Sequence, residues 1–145
     1  MTEQMGTTTT GDALSGAGRD VVTLKLPAAG AYLSVLRTAT ASLASRLDFT
    51  IDDIEDLRIA VGEASAMVLP EADEGSDLLC SFFMRPGELT VNVGVTATRA
   101  ATTPDYDSFA WQVLTTLATS ATADAGGGQF TVSLTMESGH LGAGL

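Results

Sequence analysis

Glu55-Asp56-Leu57-Arg58-Ile59-Ala60-Val61-Gly62-Glu63-Ala64-Ser65-Ala66-Met67-Val68-Leu69 is the stretch whose reading decides the fold. Together with Ile54, the apolar positions Leu57, Val61, Ala64 and Val68 recur at three- and four-residue steps, the period of an amphipathic helix with one buried side. Just upstream, Thr50 and Asp53 stand at capping-box spacing with a shorter acid than the usual Glu or Gln. Asp52, Asp53 and Glu55 place negative charge where the helix dipole is positive. The pattern predicts a helix that starts at Ile51 and is closed by Pro70 and the acidic stretch from Glu71 to Asp77, itself read as a solvated loop.

Outward from this helix the chain changes period several times. Leu33, Leu36, Thr40, Leu43 and Leu47 predict an earlier helix with a buried face, and Arg37 lies one position beyond Leu36. Val21, Val22, Leu24 and Leu26, ended by Pro27, predict a first strand. Downstream, the apolar runs Leu78 to Met84 and Leu89 to Val95 flank the turn sequence Arg85-Pro86-Gly87-Glu88, which predicts a hairpin. A polar connection from Thr98 to Asp107 leads to Ser108, an N-cap candidate for a helix through Phe109, Val113, Leu114 and Leu117. Gly126 to Gly128 predict a plain turn into a last strand, whose alternating Phe130, Val132, Leu134 and Met136 imply one buried face. That triplet lacks the Lys-Ser/Thr of a phosphate loop. Residues 1–19, rich in Thr, Gly and Ser, are expected to form a disordered tail, and 139–145 to fray. The expected architecture is an α+β two-layer sandwich over residues 20–138, a mixed β-sheet covered on one face by about three helices.

Composition narrows the function. In 145 residues, 45% of them hydrophobic, there is enough apolar surface for one domain's core. Seven basic against 18 acidic residues give a net charge of -11, which opposes direct nucleic-acid binding and favours a basic protein partner. No apolar run approaches the roughly 18 to 20 residues of a membrane span, and the N-terminus carries no signal-peptide pattern, so a cytoplasmic protein is expected. Cys80, the only cysteine, is expected to be a buried inert thiol. His140 has no second ligand at metal spacing, so no metal site is expected, and Trp111 reads as core or helix-face packing.

The run from Asp56 to Ala64 resembles the first nucleotide-site helix of the histidine-kinase-like ATPase fold, in the form found in bacterial anti-sigma factors that double as serine kinases. Ala31 to Leu69 fits that pattern without gaps. Ser108-Phe109-Ala110-Trp111-Gln112-Val113-Leu114 is similar to the third helix of an actinobacterial subgroup. In active members a Glu on the first nucleotide-site helix activates the attacking hydroxyl, and an Asn one turn later binds the magnesium that bridges the phosphates. Here Glu63 holds the Glu position and Met67 the Asn position, and a thioether is a poor ligand for a hard cation. The family's Asp-x-Gly-x-Gly motif should fall near Val93-Gly94-Val95-Thr96-Ala97-Thr98-Arg99, which has no Asp. Its Gly-rich phosphate-covering segment should fall at Thr102-Thr103-Pro104-Asp105-Tyr106-Asp107-Ser108, which has no glycine.

With all three motifs altered, the resemblance implies the family's other task. Its members hold an alternative sigma factor away from RNA polymerase and are countered by an anti-anti-sigma protein that competes for an overlapping surface. An arginine midway along the first helix contacts both partners, and counting back from Leu47-Asp48 places Arg37 there. Asp48 and Asp53 are expected to meet basic residues of a sigma factor, on charge sign alone. No cofactor is expected; Mg-ATP enters only under the alternative, an active serine kinase with Glu63 as its base. Members of the family often pair, so the resemblance allows a homodimer.

Overall fold

The computed structural model describes residues 19–99 and 103–139. The remainder of the two expected tails, with His140, and residues 100–102 of the polar connection lie outside these. The described chain orders as β1 (Asp20–Pro27), α1 (Leu33–Arg46), α2 (Ile51–Val68), β2 (Asp77–Arg85), β3 (Glu88–Thr96), α3 (Phe109–Leu117), β4 (Ser120–Gly126) and β5 (Gln129–Glu137).

The helix boundaries follow from local chemistry. At the start of α2 the Asp53 N–H donates to Thr50 Oγ1 at 3.1 Å and the Thr50 N–H donates to the Asp53 carboxylate at 3.4 Å, so the capping box closes in both directions. α1 ends in a Schellman closure. The Asp48 N–H donates to the Ser45 carbonyl at 3.4 Å and the Phe49 N–H to the Ala44 carbonyl at 3.3 Å, with Asp48 at φ 59 where glycine is the usual residue. Phe49 then turns into the core. Ser108 caps α3 by accepting from the Trp111 N–H at 3.1 Å.

The predicted hairpin forms as β2 and β3, joined at Pro86-Gly87 with Gly87 at φ 73. The sheet order is β1-β2-β3-β5-β4, and every neighbouring pair is antiparallel. Here the mixed sheet expected from sequence is corrected. That expectation had a single strand after α3, whereas the chain makes two, β4 and β5. The additional strand reverses the direction, so β5 enters antiparallel to β3, and β4, two places away, runs the same way as β3. β4 reads Ser-Ala-Thr-Ala-Asp-Ala-Gly, with none of the β-branched or aromatic bulk that marks a strand apart from Thr122. Its pairing is secured by the turn Gly127-Gly128, with φ 63 and 78, the two left-handed residues that a tight hairpin of right-handed twist requires.

All three helices cover one face, as expected of the two-layer sandwich. α2 is the central helix, packed between α1 and α3 and against β3 and β5. Its Leu57, Ala60, Val61, Ala64 and Val68 meet Phe82, Val91, Val93, Val132 and Leu134 in a single core cluster. Two hydroxyls inside this apolar layer are satisfied within their own helices: Thr40 donates to the Leu36 carbonyl and Ser65 to the Val61 carbonyl, both at 2.8 Å. The other sheet face carries Thr, Ser and Asn that bond to each other, Thr90 to Thr135 at 2.8 Å and Ser133 to Asn92 at 2.6 Å. No described helix is long and apolar enough to cross a membrane.

Candidate functional site

Two recesses open along α2, and they divide the residues singled out in the sequence. The first is an open groove of about 330 Å³ between α1 and α2, lined by Arg37, Glu55, Arg58, Ile59 and Glu63. Arg37 projects from the middle of α1 and is half-buried, while its neighbours Leu36 and Thr40 enter the core. Its guanidinium lies across Gly62: a Cβ placed on that glycine would stand 2.8 Å from Nη2 and 3.2 Å from Nε. Arg58 is loosely paired with Glu55, Nε to Oε2 at 4.0 Å. No hydrogen bond or ion pair to Arg37 occurs among the described residues, so it is the uncommitted cation of the groove. Ile59, 46% exposed, adds an apolar surface beside the charges.

The second recess, about 290 Å³, lies at the C-terminal end of α2 and before α3. Met67 and Pro70 line it together with Glu71, Asp105, Ser108 and Phe130. All seven Lys and Arg of the chain are among the described residues, and none lines this cavity. A polyphosphate placed here would face two carboxylates with no cation to neutralise it. Among the described residues no group of three or more His, Cys, Asp or Glu is placed to hold a metal ion. Glu63 and Met67 are one turn apart on α2, yet Glu63 lines the Arg37 groove and not the Met67 cavity.

The other two altered motifs are built into structure. Val93, Val95 and Ala97 point into the core, and Thr98 is clasped by Asp73, whose carboxylate accepts from the Thr98 N–H at 3.0 Å and from its hydroxyl at 2.8 Å. Before α3, Asp105 accepts from the Asp107 N–H at 3.0 Å. Tyr106 donates its hydroxyl to the Ala123 carbonyl on β4 at 3.3 Å and stands edge-on to half-buried Trp111, ring centroids 5.1 Å apart. This segment is strapped to the edge of the sheet by side chains.

Of the two acids expected to meet a partner, Asp48 is exposed and Asp53 is buried. Asp48 lies just beyond the C-terminal end of α1, whereas Arg37 is in the middle of that helix. Asp53 is corrected: it is 4% exposed, and besides its capping bond its carboxylate accepts from the Gly139 N–H at 2.8 Å, which ties the exit of β5 to the start of α2. A carboxylate so enclosed and engaged is structural. The same bond holds Gly139, where fraying was expected to begin. Cys80 is buried in the core, and burial pushes its thiol up to about 12, the inert state expected from its strand position. Sequence reading passed over Gly62. The signal available was an isolated glycine in mid-helix, which costs about 1 kcal/mol against alanine and calls for a reason.

Five antiparallel strands with three helices on one face are an arrangement shared with a solved structure. A solved structure of the RsbU and RsbW domains of Rv1364c from Mycobacterium tuberculosis matches with a TM-score of 0.65 over 82% of this chain and 32% of that one, at 13% identity. Sequence similarity points the same way. Serine-protein kinase RsbW of Halalkalibacterium halodurans is 35% identical over 75 residues, 51% of this chain and 46% of that protein. RsbW of Bacillus velezensis is 37% identical over 78 residues, 52% of this chain and 42% of that protein. RsbW of Listeria monocytogenes serotype 4a is 40% identical over 72 residues, 50% of this chain and 41% of that protein. No family model matches the chain. It spans somewhat less than half the length of these curated relatives. The chain is RsbW-like, similar in fold to a structure that contains an RsbW domain and over about half its sequence to the serine-protein kinases named RsbW.

Proposed function

We propose that this chain is an anti-sigma factor without kinase activity, which sequesters an alternative sigma factor and is countered by an anti-anti-sigma protein. The observation that carries this reading is Arg37, a half-buried arginine whose guanidinium is held on α2 and left without an ion-pair partner among the described residues. A planar fork in that state is suited to bidentate bonding with a partner carboxylate, and Ile59 beside it offers apolar contact. The lack of catalysis is supported by Met67 at the magnesium position and by a cavity lined with Glu71 and Asp105 but no cation. The kinase alternative rests on Glu63, which lines the Arg37 groove instead.

Affinity capture from the native cytoplasm with the wild type and with Arg37→Ala tests the binding half. A sigma factor and an anti-anti-sigma protein recovered with the wild type and depleted with the variant are the expected result; equal recovery from both removes Arg37 as the anchor. Calorimetry with Mg-ATP, together with phosphotransfer onto the recovered anti-anti-sigma protein, tests the catalytic half. Micromolar nucleotide binding or turnover would restore the kinase.

A further inference from the structure

Gly62 has no conformational reason to be glycine. It lies inside α2, its backbone is not among those with positive φ, and apart from proline no residue favours a helix less. Packing against another backbone does not require it either. The three heavy atoms nearest to an added Cβ are Nη2, Nε and Cζ of Arg37, at 2.8, 3.2 and 3.4 Å. The space left by the missing side chain is filled by one guanidinium from the neighbouring helix.

We propose that Gly62 is the positioning residue for Arg37: its bare Cα is a socket that fixes the guanidinium over α2 and aims it into the groove of Glu55, Arg58, Ile59 and Glu63. The inference rests on the reading of Arg37 as the partner anchor. An arginine free in solvent samples many rotamers, and immobilising it is a cost borne at binding. A seated arginine has borne that cost during folding, so a partner carboxylate meets a fork already in place. This gives a helix-weakening glycine, one residue before Glu63, a purpose in recognition that is independent of nucleotide chemistry.

Gly62→Ala is the direct test, because the group it displaces is the far end of a flexible side chain and not the backbone. A double-mutant cycle with Arg37→Ala separates seating from damage to the fold. Two quantities are read on the full chain: affinity for the sigma factor recovered with the wild type, and the ¹⁵Nε order parameter of Arg37, with exposed Arg46 as the internal reference for a mobile arginine. Gly62→Ala is expected to weaken binding about tenfold, the scale of immobilising one long side chain, and to lower the Arg37 order parameter toward that of Arg46. In the Arg37→Ala background it should leave affinity unchanged and raise thermal stability. Equal weakening in both backgrounds, or an Arg37 order parameter that Gly62→Ala does not change, overturns the socket while leaving Arg37 as anchor. If Arg37→Ala binds as well as the wild type, the anchor itself fails, and the order parameter still decides whether Gly62 seats it.

Discussion

The groove at Arg37 and the cavity at Met67 are similar in volume, about 330 and 290 Å³, and share one helix, but they differ in charge. The groove gathers two arginines and two glutamates around an exposed isoleucine, and one of those arginines is unpaired among the described residues. The cavity combines two carboxylates with apolar side chains and no cation. A protein surface discriminates by placing charge complementary to what it binds. By that criterion the proposed role of the groove rests on Arg37 alone, since Glu55 and Glu63 balance the two arginines, while the cavity offers a phosphate no cation. The same helix that resembles an ATP-site element therefore meets the unpaired cation, Arg37 of α1, on its side facing α1, away from the cavity.

The largest effect that would break this contrast belongs to Arg37. A central, partly desolvated arginine of an interface commonly costs about 2 kcal/mol or more when truncated, roughly thirtyfold in affinity. Arg37→Ala is expected to lose about that much in a titration with the recovered sigma factor while thermal unfolding stays close to the wild type. An affinity within twofold of the wild type would make the groove an ordinary polar surface.

Asp53→Ala should do the reverse, changing stability but not binding. It removes the acceptor for the Thr50 and Gly139 N–H groups, and the loss of a cap of this kind is worth about 1–2 kcal/mol. Urea unfolding reports the loss, and unchanged sigma affinity separates this buried acid from the partner face. A drop in affinity as large as that of Arg37→Ala would return Asp53 to the interface.

How much of this was legible before the structure depends on the range of each interaction. The capping box of Thr50 and Asp53, the Pro86-Gly87 hairpin and the Ser108 cap involve residues three or four apart, so their chemistry is visible in the sequence itself. β4 was not visible, because Ala121, Ala123 and Ala125 have little intrinsic strand preference and depend on the pairing that β5 supplies. Asp53 was misread for a related reason: the N–H group that completes its enclosure comes from Gly139, 86 residues away. Gly62 looked like one more position of the α2 pattern until the side chain of another helix was found lying on it. The position of Arg37 came from the family resemblance, and its lack of a partner could come only from the packed helices.

A smaller effect is expected at Asp48, the exposed acid at the end of α1. At φ 59 it occupies the left-handed position of the Schellman closure, where a β-carbon is unfavourable. Asp48→Gly relieves that strain and should raise stability by about 0.5–1 kcal/mol, net of the greater freedom of the unfolded chain. Whether affinity falls at the same time decides if the surface that begins at Arg37 extends along α1 to this end. A gain in stability with unchanged affinity confines the interface to the groove.

The smallest expected effect is on nucleotide binding in Met67→Asn, and it tests the other side of the comparison. The substitution restores an oxygen donor of the kind magnesium accepts, at the position where the family resemblance places it. It adds no cation to a cavity lined by Glu71 and Asp105, no Asp to the segment that Asp73 clasps at Thr98, and no glycine to the strap held by Tyr106. If those features together set the cavity's chemistry, calorimetry with Mg-ATP should show no more heat for the variant than for the wild type. Binding gained by this one change would mean that the cavity is a single residue from an ATP site, and that its acidic lining is compatible with phosphate once a magnesium ion is held between them.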